Sequence, residues 1–487
     1  MMVDISRRNA LILGGVGIGA VSVGGTGLFL NQRLGSPLQS GVGAGKALVL
    51  PTELRSSSGV LTVALESSSQ QVSIAGRDVR ALSYNGGIPG PTLRVRAGDI
   101  LNISLHNGLT EPSNLHVHGL HVSPENNSDN MFVTIDAGNS FDYQYEIPAD
   151  HPPGVYWYHP HQHGLVADQV FGGLYGAIIV EDAAEIPATR ERVLVVSDIT
   201  VDSSGSVAAA STMEKMSGRE GELVLVNGQL TPMLSARPGE RERWRVINAC
   251  TSRYLRLQLD GQQLTLLGID SGRFESARDV DEIVLAPGNR ADLLVTARTG
   301  TSTLRALGYD RGSSGGMMGG STSSSDAVAL ATFAVAGADT VGFSEVPDQL
   351  VPNDLRSATV TARRELVFAM GMGGGMSGSM MNATINDRTF DAARVDTGVQ
   401  FGSIEEWTLT NTSMLDHPLH LHVWPMQITE QGGQPVDSLI WQDVVNIPAG
   451  STVKVRIAFN DFSGKTVYHC HILDHEDAGM LGIIQAL

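Results

Sequence analysis

Short runs that alternate apolar and polar residues recur three times along the chain. YNGGIPGPTLRVRAGDILNISLHN (84–107), VNGQLTPMLSARPGERERWRVIN (226–248) and INDRTFDAARVDTGVQFGSIEEWTLTN (385–411) share one plan. Each opens on an Asn-Gly or Asn-Asp turn, carries a glycine near its middle and ends in an alternating stretch that stops at asparagine. A second element follows each copy: IDAGNSFDYQYEIP (135–148), LAPGNRADLLVTA (285–297) and IPAGSTVKVRIAF (447–459). A turn followed by a period-two run predicts half-buried antiparallel strands. Three copies about 150 residues apart predict an all-β chain of three β-sandwich domains of similar size. The boundaries fall at 47–183, 184–340 and 341–487, with linkers in EDAAEIPATRE (181–191) and in 337–354. Amphipathic helical patterns are scarce.

Composition narrows the function classes. The chain has 487 residues, 56 of them glycine, and a formal charge of -18. No basic stripe is present, so nucleic acid is excluded as a partner. Nothing in the sequence demands more than a monomer. Residues 1–46 read as a leader: Ser6-Arg7-Arg8-Asn9 precedes an apolar run from Ala10 to Leu30. Twin arginines ahead of such a run resemble a Tat signal, and an N-terminal membrane tether is the alternative. Export to the periplasm or beyond is therefore expected. Of the two cysteines, Cys250 lies in an apolar alternating run and reads as a buried small hydrophobe.

The histidines change the picture most. Eight of the fourteen lie between His106 and His163, six between His417 and His475, and none between 164 and 416. The middle domain is expected to be a spacer. Aligned by the repeat, LHVHGL (115–120) falls on LHLHVW (419–424) and YHPH (158–161) on YHCH (468–471). Along a strand, residues i and i+2 share a face. Each H-x-H pair therefore aims two imidazoles the same way, across the interface between the first and third domains. Eight facing imidazoles without a metal would be eight poorly partnered polar groups, so metal is required.

His417, Cys470, His475 and Met480 have no counterpart in the first domain. Cys470 lies between His469 and His471, so its sulfur points away from their rings. Two imidazoles, a thiolate and a thioether favour a blue-copper electron-transfer site over zinc.

With all four histidine motifs in order over nearly the whole chain, the sequence resembles the multicopper oxidases. These are proteins of three cupredoxin-like Greek-key domains, and the family includes laccases and cuprous oxidases. The resemblance implies four copper ions. His417, Cys470, His475 and Met480 correspond to the type 1 ligands, and His116 and His420 to the type 2 ligands. His118, His159, His161, His422, His469 and His471 correspond to the ligands of the type 3 pair. His163 aligns on Leu473, and His106, His121 and His151 align with no ligand; these four read as structural or outlying.

The implied reaction takes single electrons from a donor and reduces O2 to water, so acids should stand near the cluster. Glu476 and Asp129 match the proton-supplying positions of the family. Asp416 is expected to hold the His417 ring, and Asp443 to be structural. The donor class expected first is phenolic or aromatic. Cuprous ion is second, suggested by the soft thioethers of GGMMGG (315–320) and AMGMGGGMSGSMM (369–381). A non-enzymatic scaffold of the same fold is a third reading, which loss of ligands would have favoured; none is lost.

Overall fold

The computed structural model describes residues 45–312, 326–340, 342–347, 351, 353–372 and 381–487. Residues 315–320, most of 369–381 and all of the leader but its last two residues lie outside them. Among the described residues the chain forms six sheets of four to seven strands, two for each sequence repeat. The first repeat supplies a four-stranded and a five-stranded sheet, the second a six- and a five-stranded one, and the third a seven- and a five-stranded one.

The repeated runs are strands at Ile100–Asn107, Arg241–Asn248 and Ser403–Asn411. Each pairs antiparallel with its second element, at Ser140–Glu146, Arg290–Thr296 and Thr452–Phe459. On its other side each pairs parallel with an earlier strand: Val60–Ile74, Arg190–Ile199 and Ala362–Met372. The sheets are thus mixed, where alternation alone predicted antiparallel ones. Period two reports which face is buried and says nothing about strand direction. A parallel neighbour needs a long crossover, and here the chain passes through the facing sheet before it returns.

Each repeat has its own apolar core between its sheets, around Leu101, Ile103 and Tyr145 in the first, Trp244 and Phe333 in the second, and Trp407 and Phe459 in the third. The five-stranded sheets of the first and third repeats matter for function. The first runs Glu53–Arg55, Thr92–Val95, Gly176–Val180, Gly154–His159, His116–His118. The third runs Thr397–Val399, Leu481–Ala486, Gly464–Cys470, His417–Leu421, Val444–Ile447. Equivalent strands carry the histidines, in the same order. Among the described residues three short α-helices are formed: α1 (Val166–Gly172), α2 (Thr212–Ser217) and α3 (Leu473–Asp477).

Candidate metal centres

Strand register does most of the assembly. His116 stands opposite His159 in the first repeat, and His420 opposite His469 in the third. The two H-x-H pairs of each domain thus converge at one end of its sheet, and the two ends face each other. All eight rings are buried, none more than 3% exposed. Across the interface the His118 and His420 rings stack with centroids 3.8 Å apart, and those of His116 and His422 stack at 3.9 Å.

Five of the eight rings are turned by an outward hydrogen bond. His116 Nδ1 meets both Asp129 oxygens at 3.0 Å, and His118 Nε2 meets Asp443 Oδ1 at 3.0 Å. His159, His420 and His469 donate from Nδ1 to the carbonyls of Pro160, Asp443 and Cys470, at 2.8, 2.9 and 3.0 Å. A neutral imidazole that donates from one nitrogen is a bare acceptor at the other, and that nitrogen faces inward. The inward nitrogens of His116 and His420 stand 3.3 Å apart, and those of His118 and His159 3.4 Å. Both His161 and His422 place Nε2 3.1 Å from His469 Nε2. His471 has no hydrogen-bond partner at either ring nitrogen.

Lone pairs facing one another at such distances repel unless a cation lies between them. Burial, the leading cause for every ring, holds all eight imidazoles well below the usual histidine value, His161 and His469 at about 4. They are neutral at physiological pH, the form that ligates metal. A buried all-imidazole cage with inward acceptors and an orphaned His471 fits copper.

The sulfur site lies behind the same strand. Cys470 pairs with Leu419, out of step with the His420–His469 pair, so its side chain enters the third core. Its Sγ is 3.4 Å from His417 Nδ1 and 4.0 Å from His475 Nδ1. The Ile472 N–H also reaches the sulfur, at 3.4 Å. Met480 is fully buried in the same core, and its backbone bonds to both Cys470 and His475. Burial pushes the Cys470 thiol up, and a bound cation reverses that by taking the thiolate. Cys250 and Cys470 are both free.

Acids stand where they were expected. Asp129 accepts the Val117 N–H as well as the His116 ring, and burial pushes its carboxyl up to about 8. Glu476 is fully buried, with Oε2 3.1 Å from His469 Nδ1 and Oε1 3.5 Å from His161 Nε2. Burial raises it to about 7, against the pull of His161.

Three readings of the sequence need correction. Asp443 is not merely structural: its carboxylate holds His118 and its carbonyl holds His420. Asp416 does not hold His417; it accepts from Tyr309, Asn446 and the Ala449 N–H, while Ser413 Oγ meets His417 Nε2 at 2.8 Å. The middle domain is more than a spacer. Its Arg290 makes a two-pronged pair with Asp443 at 2.6 and 2.7 Å, and a Cβ on its Gly288 would sit 2.8 Å from His471 Nε2.

The other histidines stay outside the cluster: His163 packs on Phe390, His106 meets Ser140, and His151 accepts the His121 N–H. Arg290 and Asp443 are almost fully buried. Arg290→Met is therefore expected to cost about 3–5 kcal/mol by stranding the carboxylate, read as a fall in the urea midpoint.

Comparison with known proteins agrees in three consecutive pieces. Family models described as multicopper oxidase match residues 66–185, 190–312 and 362–486. The chain belongs to the multicopper oxidases. Membership makes it an oxidoreductase that uses copper and O2. It is 28% identical over 416 residues to the multicopper oxidase mco of Staphylococcus haemolyticus, covering 83% of each chain. With the laccase of Bacillus subtilis it shares 26% identity over 471 residues, or 82% of this chain and 89% of the laccase. Among solved structures, the multicopper oxidase from Campylobacter jejuni, described as a metallo-oxidase, superposes with a TM-score of 0.81 at 29% identity. That match covers 91% of this chain and 95% of the other.

Proposed function

We propose that this multicopper oxidase holds four coppers and couples one-electron oxidation of a small donor to four-electron reduction of O2. His417, Cys470, His475 and Met480 form the type 1 site. His116 and His420 hold the type 2 ion. His118, His159 and His471 hold one type 3 ion, and His161, His422 and His469 the other. The observation that carries this reading is the strand Gly464–Cys470 and its continuation. It turns His469 and His471 into the imidazole cage and Cys470 into the sulfur site. Copper bound there supplies single-electron redox chemistry at the sulfur and reduction of O2 to two waters in the cage.

The chain does the rest. Two peptide units join the sulfur to both cage histidines by covalent bonds alone. Glu476 holds a proton against His161 and His469. Asp129 and Asp443 fix the tautomers of His116 and His118. Copper loading of the exported chain is expected to give a blue band near 600 nm and O2 uptake with a donor. Fully loaded protein without O2 uptake would overturn the reading. Ser6-Arg7-Arg8-Asn9 supports export of the folded chain, tested by fractionation after Arg7→Lys/Arg8→Lys.

The geometry favours cuprous ion over phenols as the donor. His475 is fully buried, and its Nε2 donates to the Met216 carbonyl at 3.2 Å, so no ring edge is offered to a phenol. Exposed methionines lie close in sequence to the groups that meet both outward nitrogens, the Met216 carbonyl and Ser413. Met213, 67% exposed, lies one helical turn before Met216, and Met414, 62% exposed, adjoins Ser413. Thioethers are soft ligands suited to Cu(I). Steady-state O2 consumption is expected to be faster with Cu(I) than with 2,6-dimethoxyphenol, and faster phenol turnover would return the phenolic reading to first place.

A further inference from the structure

The covering of His475 is built by a domain that supplies no metal ligand. Helix α2 caps itself: Ser211 Oγ accepts the Glu214 N–H, and the Glu214 carboxylate accepts the Ser211 N–H. None of its six residues is buried, so no apolar face glues it down. The two residues after the helix are tightly held. Gly218 has φ +78°, and a Cβ there would meet Ile472 and Ser252 at 2.6 Å, so only glycine lets the backbone come this close. Its carbonyl accepts from Arg311 at 3.0 Å.

Arg219 completes the attachment. Its N–H donates to Asp474 Oδ2 at 2.9 Å, and its guanidinium reaches both Asp474 oxygens and, at 2.5 Å, Asp168 of α1. It is only 3% exposed. One side chain thus ties α1 of the first domain, the middle domain and α3 of the third, at the residue preceding His475.

We propose that Ser211–Arg219 is a donor-selecting lid on the type 1 centre and that Arg219 is its clasp. The inference rests on the assignment of His475 as a type 1 ligand. With the lid docked, an aromatic donor meets the polar outer face of α2, and the outward nitrogen of His475 is already occupied by a carbonyl. A small soft cation needs only an exposed thioether, and Met213 on α2 offers one. A self-capped helix without a buried face lifts as a unit once its attachment loosens, and the docked fraction sets how rarely an aromatic ring reaches the histidine. Arg219 is a positioning residue that touches neither metal nor donor.

The test compares Arg219→Lys and Arg219→Ala with the parent in copper-loaded and copper-free protein. For Arg219→Ala, kcat/KM with 2,6-dimethoxyphenol should rise by about tenfold or more as the open fraction grows. Turnover with hexacyanoferrate(II), which does not need ring contact, should stay within about twofold on the same argument. Amide hydrogens of 212–219 should exchange faster even without copper, and Arg219→Lys should fall between.

Ser211→Ala/Glu214→Ala, on the exposed helix start, provides a second variant should Arg219→Ala fold poorly. It should raise phenol turnover in the same direction by a smaller factor. Phenol turnover that stays level or falls, with blue absorbance and unfolding midpoint intact, would overturn the lid. A parent protein that never turns blue on loading would instead overturn the type 1 assignment beneath it.

Discussion

Cys470→Ser is expected to remove the blue absorbance and to cut donor-driven O2 uptake by about 10³-fold or more, a barrier increase of about 4 kcal/mol. The thiolate is the only soft anionic group at the sulfur site, where its Sγ lies 3.4 Å from His417 Nδ1. A serine hydroxyl is a hard, neutral donor that gives neither the colour nor the electronic link to His469 and His471. The substitution should leave the fold in place. The Ile472 N–H and His417 already stand within reach of the sulfur, so a hydroxyl there finds hydrogen-bond partners. The imidazole cage should survive as well, because Cys470 faces the other side of the strand. Copper analysis with electron paramagnetic resonance reads this as loss of the type 1 signal and retention of the rest. Retained blue colour would show that the sulfur is not a ligand.

Glu476→Gln is expected to lower kcat by about 10²-fold with both metal spectra unchanged. The carboxyl is fully buried against His161 and His469, and burial lifts it to about 7. It therefore holds its proton below about 7 and loses it as pH rises. Proton supply, and with it kcat, should fall on the alkaline side of neutrality in the parent. Glutamine keeps the volume and removes the titratable acidic proton, so that limb of the profile should vanish. A variant that retains both rate and limb would place the proton route elsewhere, with Asp129, held against His116, the next residue to change.

The parts of the site that the sequence displays are those governed by periodicity. H-x-H on a strand fixes two rings to one face, and the x between them fixes the sulfur to the other; both follow from a repeat of two residues. Asp443 and Met216 were invisible because their roles depend on how one domain's loop lies on another's histidine, which no local pattern encodes. Arg290 did leave a trace. In the second repeated element it occupies the position held by Ser140 and Thr452 in the other copies, a charge where the repeat carries hydroxyls. Asp416 misled for the opposite reason: it directly precedes His417 in the sequence, yet its carboxylate turns away to Tyr309, Asn446 and Ala449.

The stacking of His118 on His420 also has a consequence in time. His116 and His420, which face each other in the cage, are separated by 304 residues of chain. At roughly 5–20 residues per second, synthesis of the second follows the first by roughly 15–60 s. During that interval the first domain presents half a cage to whatever metal is at hand, and geometry, ligand type and availability, more than raw affinity, decide which ion is kept. A cage of all eight imidazoles therefore exists only once the last domain has been made and packed on the first.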